Sequence, residues 1–221
     1  MARPLAEERA RLRVERIGPR YSGWGHLAFT SVVSALVIVG TFGAVRSPSW
    51  AELAVVPGTF LFANLAEYLG HRFVMHRPRP GLRAVFRRHT LQHHVFFRHD
   101  AMAIDGVPDF ALTLFPPVLV AFFFGAFGLP PGLALALSWS RDAALLYAGT
   151  AVAYFLLYEW LHLAWHLPDD TPLRHVPGYA RLRALHRDHH DPAWMSRYNF
   201  NITFPIADLG FGTLRRRGGG K

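Results

Sequence analysis

Residues 51–76 read AELAVVPGTFLFANLAEYLGHRFVMH, a nearly uninterrupted apolar run that ends in two histidines, His71 and His76. The apolar part, residues 51–69, has about the 20 residues that a helix needs to cross the hydrocarbon core of a bilayer. It does not alternate apolar and polar faces as the helix of a soluble protein would. This stretch therefore predicts a membrane-spanning helix with two metal-ligand side chains at its end.

Three further apolar runs occur in the chain, in which 51% of the 221 residues are apolar. They cover residues 27–45, 110–139 and 143–158. The run 110–139 is too long for one simple span, and its Pro116-Pro117 and Pro130-Pro131 pairs predict a broken helix with a turn near residues 128–132. We therefore expect an all-α integral membrane protein with about four transmembrane helices.

The formal net charge is +9, and the arginines lie beside the apolar runs. They are abundant before the first run, after the second and after the fourth, whereas the turns 46–50 and 140–142 hold one arginine each. The positive-inside rule therefore places the N-terminus, residues 71–109 and the C-terminus in the cytoplasm. Topology and phospholipid contact account for this charge, so no nucleic-acid partner is expected.

The chain contains no cysteine, which excludes disulfides, thiolate catalysis and cysteine-ligated metals. Residues 1–26 are expected to form a basic cytosolic segment, because the positive-inside rule places the N-terminus in the cytoplasm. No small-residue cleavage pattern precedes the first apolar run, so this run is expected to be a retained anchor and not a removed signal peptide. Residues 27–213 are expected to form one membrane domain. The basic tail 214–221 is expected to be disordered.

Ten of the thirteen histidines fall into four clusters at the ends of, or between, the apolar runs. The clusters are His71 and His76; His89, His93 and His94; His162 and His166; His186, His189 and His190. One such pair alone is more often an ordinary polar pair on a solvated face. Ten together would repel one another if protonated, and would leave unpaired donors if buried and neutral, unless cations lie between them. Because ten ligands are too many for one centre, the pattern predicts two metal ions with about five nitrogens each.

The identity of the metal follows less directly, since imidazole suits zinc, copper, iron and nickel. A structural zinc site is normally closed by four ligands, often with cysteine, whereas two nitrogen-rich sites with room for oxygen fit redox iron better. Zinc can still occupy such sites in isolated protein. A zinc-dependent membrane hydrolase with the same histidines is therefore the first alternative. A metal transporter is a weaker one, because its ligands usually lie near the bilayer midplane.

Four polar residues are candidates to orient the imidazoles from behind: Glu67, Glu159, Asn199 and Asn201. The two glutamates lie near the membrane boundary, where a carboxylate either fixes a histidine tautomer or pairs with an arginine. The two asparagines either bond histidine rings or cap the last segment. Asp188 is expected to point away from its neighbouring histidines into solvent.

Two aspartates and three histidines lie outside the four clusters. Asp105 and Asp109 either support the second cluster or are ordinary loop charges. The three remaining histidines, His26, His99 and His175, are expected at surfaces or interfaces.

The four clusters resemble the histidine boxes of the fatty acid hydroxylase and sterol desaturase superfamily, and all four boxes are intact. The segment YNFNITFPIADLGFGT, residues 198–213, is similar to the segment that ends many members, in which an Asn-Phe-Gly-Val-Thr motif leads to a Pro, an Asp and a closing Phe-Gly-Thr. The resemblance covers roughly residues 60–213. It implies four membrane helices, a cytosolic helical cap that carries a di-iron site made by the ten histidines, and an apolar lipid channel to the metals.

The resemblance also implies an activity. It points to an O2-dependent enzyme that hydroxylates or desaturates a C–H bond of a membrane lipid. The electrons would come from a separate donor, either a cytochrome b5-like protein or a ferredoxin with its reductase. The spacing of residues 71–94 is most similar to fatty acid and ceramide hydroxylases, and a carotenoid- or sterol-specific oxidase of the same superfamily stays open.

Overall fold

The computed structural model describes residues 4–215, without the side chains of Leu119, Phe122, Phe123 and Phe127. The predicted disorder of the tail therefore falls almost entirely outside the described residues. In chain order, the α-helices are α1 (Leu5–Arg16), α2 (Gly23–Gly43), α3 (Trp50–Leu53), α4 (Val55–Gly70), α5 (Arg83–Arg88), α6 (His94–Phe96), α7 (Phe110–Thr113), α8 (Pro117–Phe123), α9 (Leu129–Ser138), α10 (Arg141–Trp165), α11 (Tyr179–His189) and α12 (Ile206–Gly210). Three π-helical turns (His71–Met75, His89–His93 and Phe124–Gly128) and two 3-10 turns (Val107–Asp109 and Pro172–His175) complete the helical elements of this range.

The chain divides into two compact units. The histidine unit comprises the described residues of Met1–Gly23, Asn64–Leu114 and Trp160–Lys221. The apolar unit comprises Trp24–Ala63 and Phe115–Glu159. All four histidine clusters therefore belong to the same unit.

Three helical stretches are long and apolar enough to cross a membrane: Gly23–Gly43, Trp50–Met75 and Arg141–Trp165. They confirm that the first, second and fourth apolar runs form helices long and apolar enough to be the predicted spans. Only 6% of the most apolar window of the first stretch is buried in protein, and Leu36 and Val39 on it are largely exposed. Such a surface needs an apolar surrounding, which a bilayer supplies.

The run 110–139 differs from the prediction. The chain leaves the helical conformation at Leu114 and Pro116, and it is helical from α8 through the π-helical turn to the end of α9. The predicted turn near residues 128–132 is therefore wrong. Pro130 and Pro131 stand in the first turn of α9, where a missing N–H removes little hydrogen bonding.

Two contacts help to hold the segments of the apolar unit together. Gly149 of α10 lies where a Cβ atom would be 2.6 Å from Thr41 Oγ1 and 2.8 Å from the ring of Phe42 on α2, so glycine allows these two helices to approach closely. Glu159, fully buried, accepts hydrogen bonds from the backbone N–H of Phe115 at 3.0 and 3.3 Å. That N–H lies at the break before α8, and the carboxylate supplies the acceptor that the broken helix lacks.

Two small apolar cores lie among the described residues of the histidine unit. In one, Leu12 of α1 packs with Phe96, Phe97 and Leu112. The other consists of Tyr68, Phe200 and Ala207. The first core joins the N-terminal helix to the loop after α6, and the second joins α4 to the C-terminal segment. Both cores border the histidine clusters.

Candidate metal centre

Two π-helical turns explain the five-residue spacing of the first two clusters. An α-helix would separate residues i and i+5 by about 140° around its axis. In a π-helical turn the i and i+5 residues are joined by a backbone hydrogen bond instead, as between His76 N–H and the carbonyl of His71 at 3.2 Å. His89 and His94 are related in the same way. Each pair therefore converges, with ring centroids 4.9 Å apart in the first and 4.7 Å in the second.

The ten histidines form two groups. The first group contains five of them, whose ligand atoms lie within 4.8 Å of one another: His71, His76, His89, His94 and His189. The second group contains four on the same criterion, His93, His166, His186 and His190. His162 adjoins the second group, because its Nε2 atom lies 3.1 Å from that of His93. The structure thus brings together all ten histidines selected from the sequence.

The grouping separates residues that are adjacent in sequence. His93 and His94 belong to different groups, and α11 contributes His189 to the first group but His186 and His190 to the second. The two groups touch each other where the rings of His94 and His190 stack with centroids 4.1 Å apart. All ten side chains are buried, none with more than 7% of its surface exposed.

Within each group the Nε2 atoms face one another. Neighbouring Nε2 atoms are 2.8–3.1 Å apart in the first group. In the second group the corresponding distances are 3.0–3.2 Å.

Backbone carbonyls bond the opposite edge of at least five of the ten rings. The Nδ1 atom of His189 lies 2.9 Å from the carbonyl oxygen of Tyr198, and that of His71 bonds the carbonyl of Phe200. In the second group, His93, His166 and His190 bond the carbonyls of Leu112, Met102 and Phe97 at 2.8, 2.9 and 2.5 Å. A carbonyl only accepts, so each of these Nδ1 atoms carries the proton and each Nε2 atom presents a lone pair.

This tautomer makes the histidine cluster chemically suited to cations. Lone pairs that face one another at about 3 Å repel, and a metal ion between them removes the repulsion. Burial lowers the pKa of the eight imidazoles that lie outside the membrane-spanning stretches. For most of them, the positive charge that neighbouring rings would carry lowers the pKa further. The eight residues are His76, His89, His93, His94, His166, His186, His189 and His190. The pKa of His189 falls to about 4. Neutral imidazole is the form that binds metals.

The C-terminal segment is itself held by buried polar residues. Asp208 accepts hydrogen bonds from the N–H groups of Phe200 and Asn201 at 3.0 and 2.7 Å and from the Thr213 hydroxyl at 2.6 Å. Glu67 of α4 accepts hydrogen bonds from the backbone N–H groups of Ile202 and Thr203, which follow Asn201. These bonds fix the backbone that offers the Phe200 carbonyl to the first group.

Glu67 therefore acts on the cluster through the loop that it holds, and Glu159 caps the helix break described above. Asn199 and Asn201 serve as caps, the second of the two roles expected for them. Asn199, at a φ of 57°, bonds the backbone at Arg215 through both side-chain atoms. Asn201 accepts from the Asp208 N–H at 3.1 Å and donates to the Asn64 carbonyl at 3.0 Å.

Among the remaining predicted residues, one expectation was wrong. Asp188 is buried and not solvated, because the last turn of α11 buries Asp188 together with its histidines and exposes only Arg187. His26 bonds the Phe115 carbonyl at 3.1 Å and His175 is exposed beside Arg174. His99 lines a cavity of about 550 Å³ together with His94 and five other residues: Leu5, Glu8, Val95, Arg98 and Pro192.

The sequence did not predict two features of the site: the backbone carbonyls that bond the Nδ1 atoms of the rings, and the arginines of α1. Carbonyl groups leave no trace in a sequence pattern. The arginines do have a signal, since Arg9, Arg13 and Arg16 recur at helical spacing, but the positive-inside rule accounts for the same residues without a structural role.

Fold and site define an all-helical protein with three membrane-spanning candidates and two adjoining groups of buried histidines. Residues 56–213 match the model of the fatty acid hydroxylase family, well over half of the chain, and the chain therefore belongs to that family. A solved structure, described as full-length Scs7p with only the hydroxylase domain visible, is similar with a TM-score of 0.60 at 20% sequence identity. The similarity covers 84% of this chain and 65% of that one, and at this identity it concerns the fold alone. A search among curated proteins gave no match.

Proposed function

We propose that this protein is an O2-dependent di-iron hydroxylase of a membrane lipid. The observation that carries the proposal is that the Nε2 atoms of the histidines face one another within two groups, in a chain that belongs to the fatty acid hydroxylase family. The ten histidines would hold two metal ions, with His162 as the fifth ligand of the second group. Bound iron would supply the activation of dioxygen and the oxidation of a C–H bond.

The chain's own contribution is to hold and shield the reacting centre. Carbonyl bonds at Nδ1 keep the rings that make them in one tautomer and orientation, which raises the basicity of these ligands and favours one metal geometry. Burial of all ten rings keeps bulk water away from the metals. A lipid carbon would have to be positioned within this shielded region for the reaction to be selective.

The remaining parts of the proposal concern the surroundings. We propose four spans, with residues 117–138 as the fourth, and the termini and histidine clusters on the cytoplasmic side, as the arginine distribution predicts. The donor would be a separate one-electron carrier of the cytochrome b5 or ferredoxin type. Desaturation would remove a second hydrogen where hydroxylation inserts an oxygen atom, so the product identifies which reaction the chain performs.

The test compares the wild-type protein with His189→Ala and a matched control, His175→Ala, which removes an exposed histidine outside both groups. Each is expressed with iron, purified anaerobically in detergent and analysed for metal content, Mössbauer spectrum and lipid products. We expect two exchange-coupled irons per chain in the wild type and the control, loss of the coupled signal in His189→Ala, and a hydroxylated lipid in cells with active protein. Two zincs that iron cannot replace would favour the hydrolase, and the absence of bound metal would refute both.

A further inference from the structure

One stretch of backbone supplies the carbonyls behind the second histidine group. Phe97, Met102 and Leu112 accept from the Nδ1 atoms of three of its five rings, as described above. The backbone N–H of Ile104 also bonds the carbonyl of His166 at 2.9 Å. The positions of these rings therefore depend on the conformation of residues 97–112, which is mostly loop.

Helix α1 holds this loop through a buried arginine. Arg9 is 8% exposed, and its guanidinium donates to the carbonyls of Phe96, Ala101 and Ala103 at 3.0, 2.7 and 3.2 Å. It also forms an ion pair with Asp105 at 2.9 Å. A guanidinium presents five N–H donors in a fixed fork, and here they join both sides of the loop that contains Met102.

A second arginine and a leucine extend this attachment. Arg13 pairs with Asp109, which is 1% exposed, at 2.7 Å, and this raises the pKa of the arginine. Asp109 in turn accepts from the backbone N–H of Asp105 at 2.9 Å. Leu12, between the two arginines, is fully buried against Phe96 and its neighbours. The two aspartates thus support the second group, but through the loop and the helix.

The first histidine group has a different support. Its carbonyl partners, Tyr198 and Phe200, lie in the C-terminal segment, which Asp208 and Glu67 hold. The bonds of Arg9 go to the loop behind the second group instead. The carbonyls that hold the two groups therefore come from separate parts of the chain, although residues 89–94 and α11 contribute rings to both groups.

We propose that the attachment of α1 through Arg9 positions the second metal site and not the first, and that Arg9 is its principal positioning residue. The inference rests on the proposed two-metal function. It does not follow from membership of the family, because α1 lies outside the matched residues 56–213. Weakening α1 should therefore release one metal ion and leave the other in place.

The size of the effect follows from the position of Arg9 behind the carbonyls. Loss of a group that orients a metal-bound histidine typically lowers metal affinity about 10- to 100-fold. We expect a loss of this order for one metal in Arg9→Gln, because the glutamine amide cannot reach the same set of carbonyls. Arg9→Lys keeps the charge but not the fork, and should give a smaller loss in the same metal.

The experiment uses the full chain in detergent, loaded with Zn2+ as the probe and titrated with a competing chelator. The matched control is Arg11→Gln, which removes an exposed arginine of the same helix that pairs with Glu8 and Glu15 and not with the loop. Metal per chain is measured at each chelator concentration. Diethyl pyrocarbonate labelling, mapped by mass spectrometry, then reports which histidines have lost their metal.

We expect wild type and Arg11→Gln to hold two zincs over the same range. Arg9→Gln should release one zinc at about 10- to 100-fold lower chelator concentration, with increased labelling of His166 and His186 but not of His71 and His76. Retention of both zincs with wild-type affinity would overturn the inference, as would joint release of both. If Arg9→Gln does not fold, Arg9→Lys decides between the same outcomes. A wild-type chain that binds no zinc or iron would instead refute the proposed function, and the inference with it.

Discussion

Replacing Asp208 by alanine should destabilise the histidine unit more than any exposed change of charge. The carboxylate is fully buried and accepts from two backbone N–H groups and one hydroxyl. Each buried donor left unsatisfied costs about 1–3 kcal/mol. Since neighbouring losses do not add fully, we expect a total of about 3 kcal/mol, toward the lower end of the summed range.

This cost translates into an observable shift in melting temperature. For a chain of 150–250 residues, about 1 kcal/mol lowers Tm by roughly 2–4 °C, so Asp208→Ala should lower it by about 6–12 °C. Asp208→Asn, which retains one acceptor oxygen, should lie between the alanine variant and the wild type. Tryptophan fluorescence during heating in detergent measures the shift, with chelator present so that bound metal does not add stability.

The matched control is Asp169→Ala. Its side chain is 94% exposed and pairs with Arg183 at 2.6 Å. Such surface pairs contribute about 0–1 kcal/mol, so its Tm should fall by no more than about 4 °C. If Asp208→Ala melts within about 2 °C of the wild type, the support assigned to the C-terminal segment is wrong.

Two further outcomes follow from the structure. The metal-free protein should lose stability as the pH falls from about 6.5 to about 4. The reason is that the pKa of His189 is lowered to about 4 in the folded protein. Between these two pH values the unfolded chain takes up a proton on His189 that the folded chain does not, which favours unfolding. Unfolding midpoints measured across this window check the sign, and a midpoint that rises on acidification would contradict it. Gly149→Ala should lower Tm by several degrees, because its Cβ atom would clash with Thr41 at 2.6 Å, whereas Gly58→Ala, which meets nothing within 4 Å, should not. Equal melting of the two alanine variants would show that the close approach of α2 and α10 does not constrain the apolar unit.

Much of the architecture could be predicted from local sequence. A membrane helix makes all of its hydrogen bonds within itself, so an apolar run of sufficient length is enough to indicate it. Three of the four predicted runs indeed form helices of spanning length. Prediction failed at residues 128–132, because the effect of a proline depends on whether the preceding turn is already irregular, as the π-helical turn Phe124–Gly128 is.

The ten histidines could be selected from the sequence, since imidazoles at this density predict a common partner, and the structure gathers them into a group of five and a group of four that His162 adjoins. Their division between sites could not be predicted, because His93 and His94 are neighbours in the chain yet belong to different groups. That division depends on the directions of rings from four separate segments, which only packing determines. Tertiary structure alone likewise decided which carbonyls lie behind the rings, and that Arg9 reaches the loop at Ala101 from a helix about ninety residues away. Backbone groups are the same at every position, so their roles arise only when the folded chain brings a particular carbonyl to a particular ring.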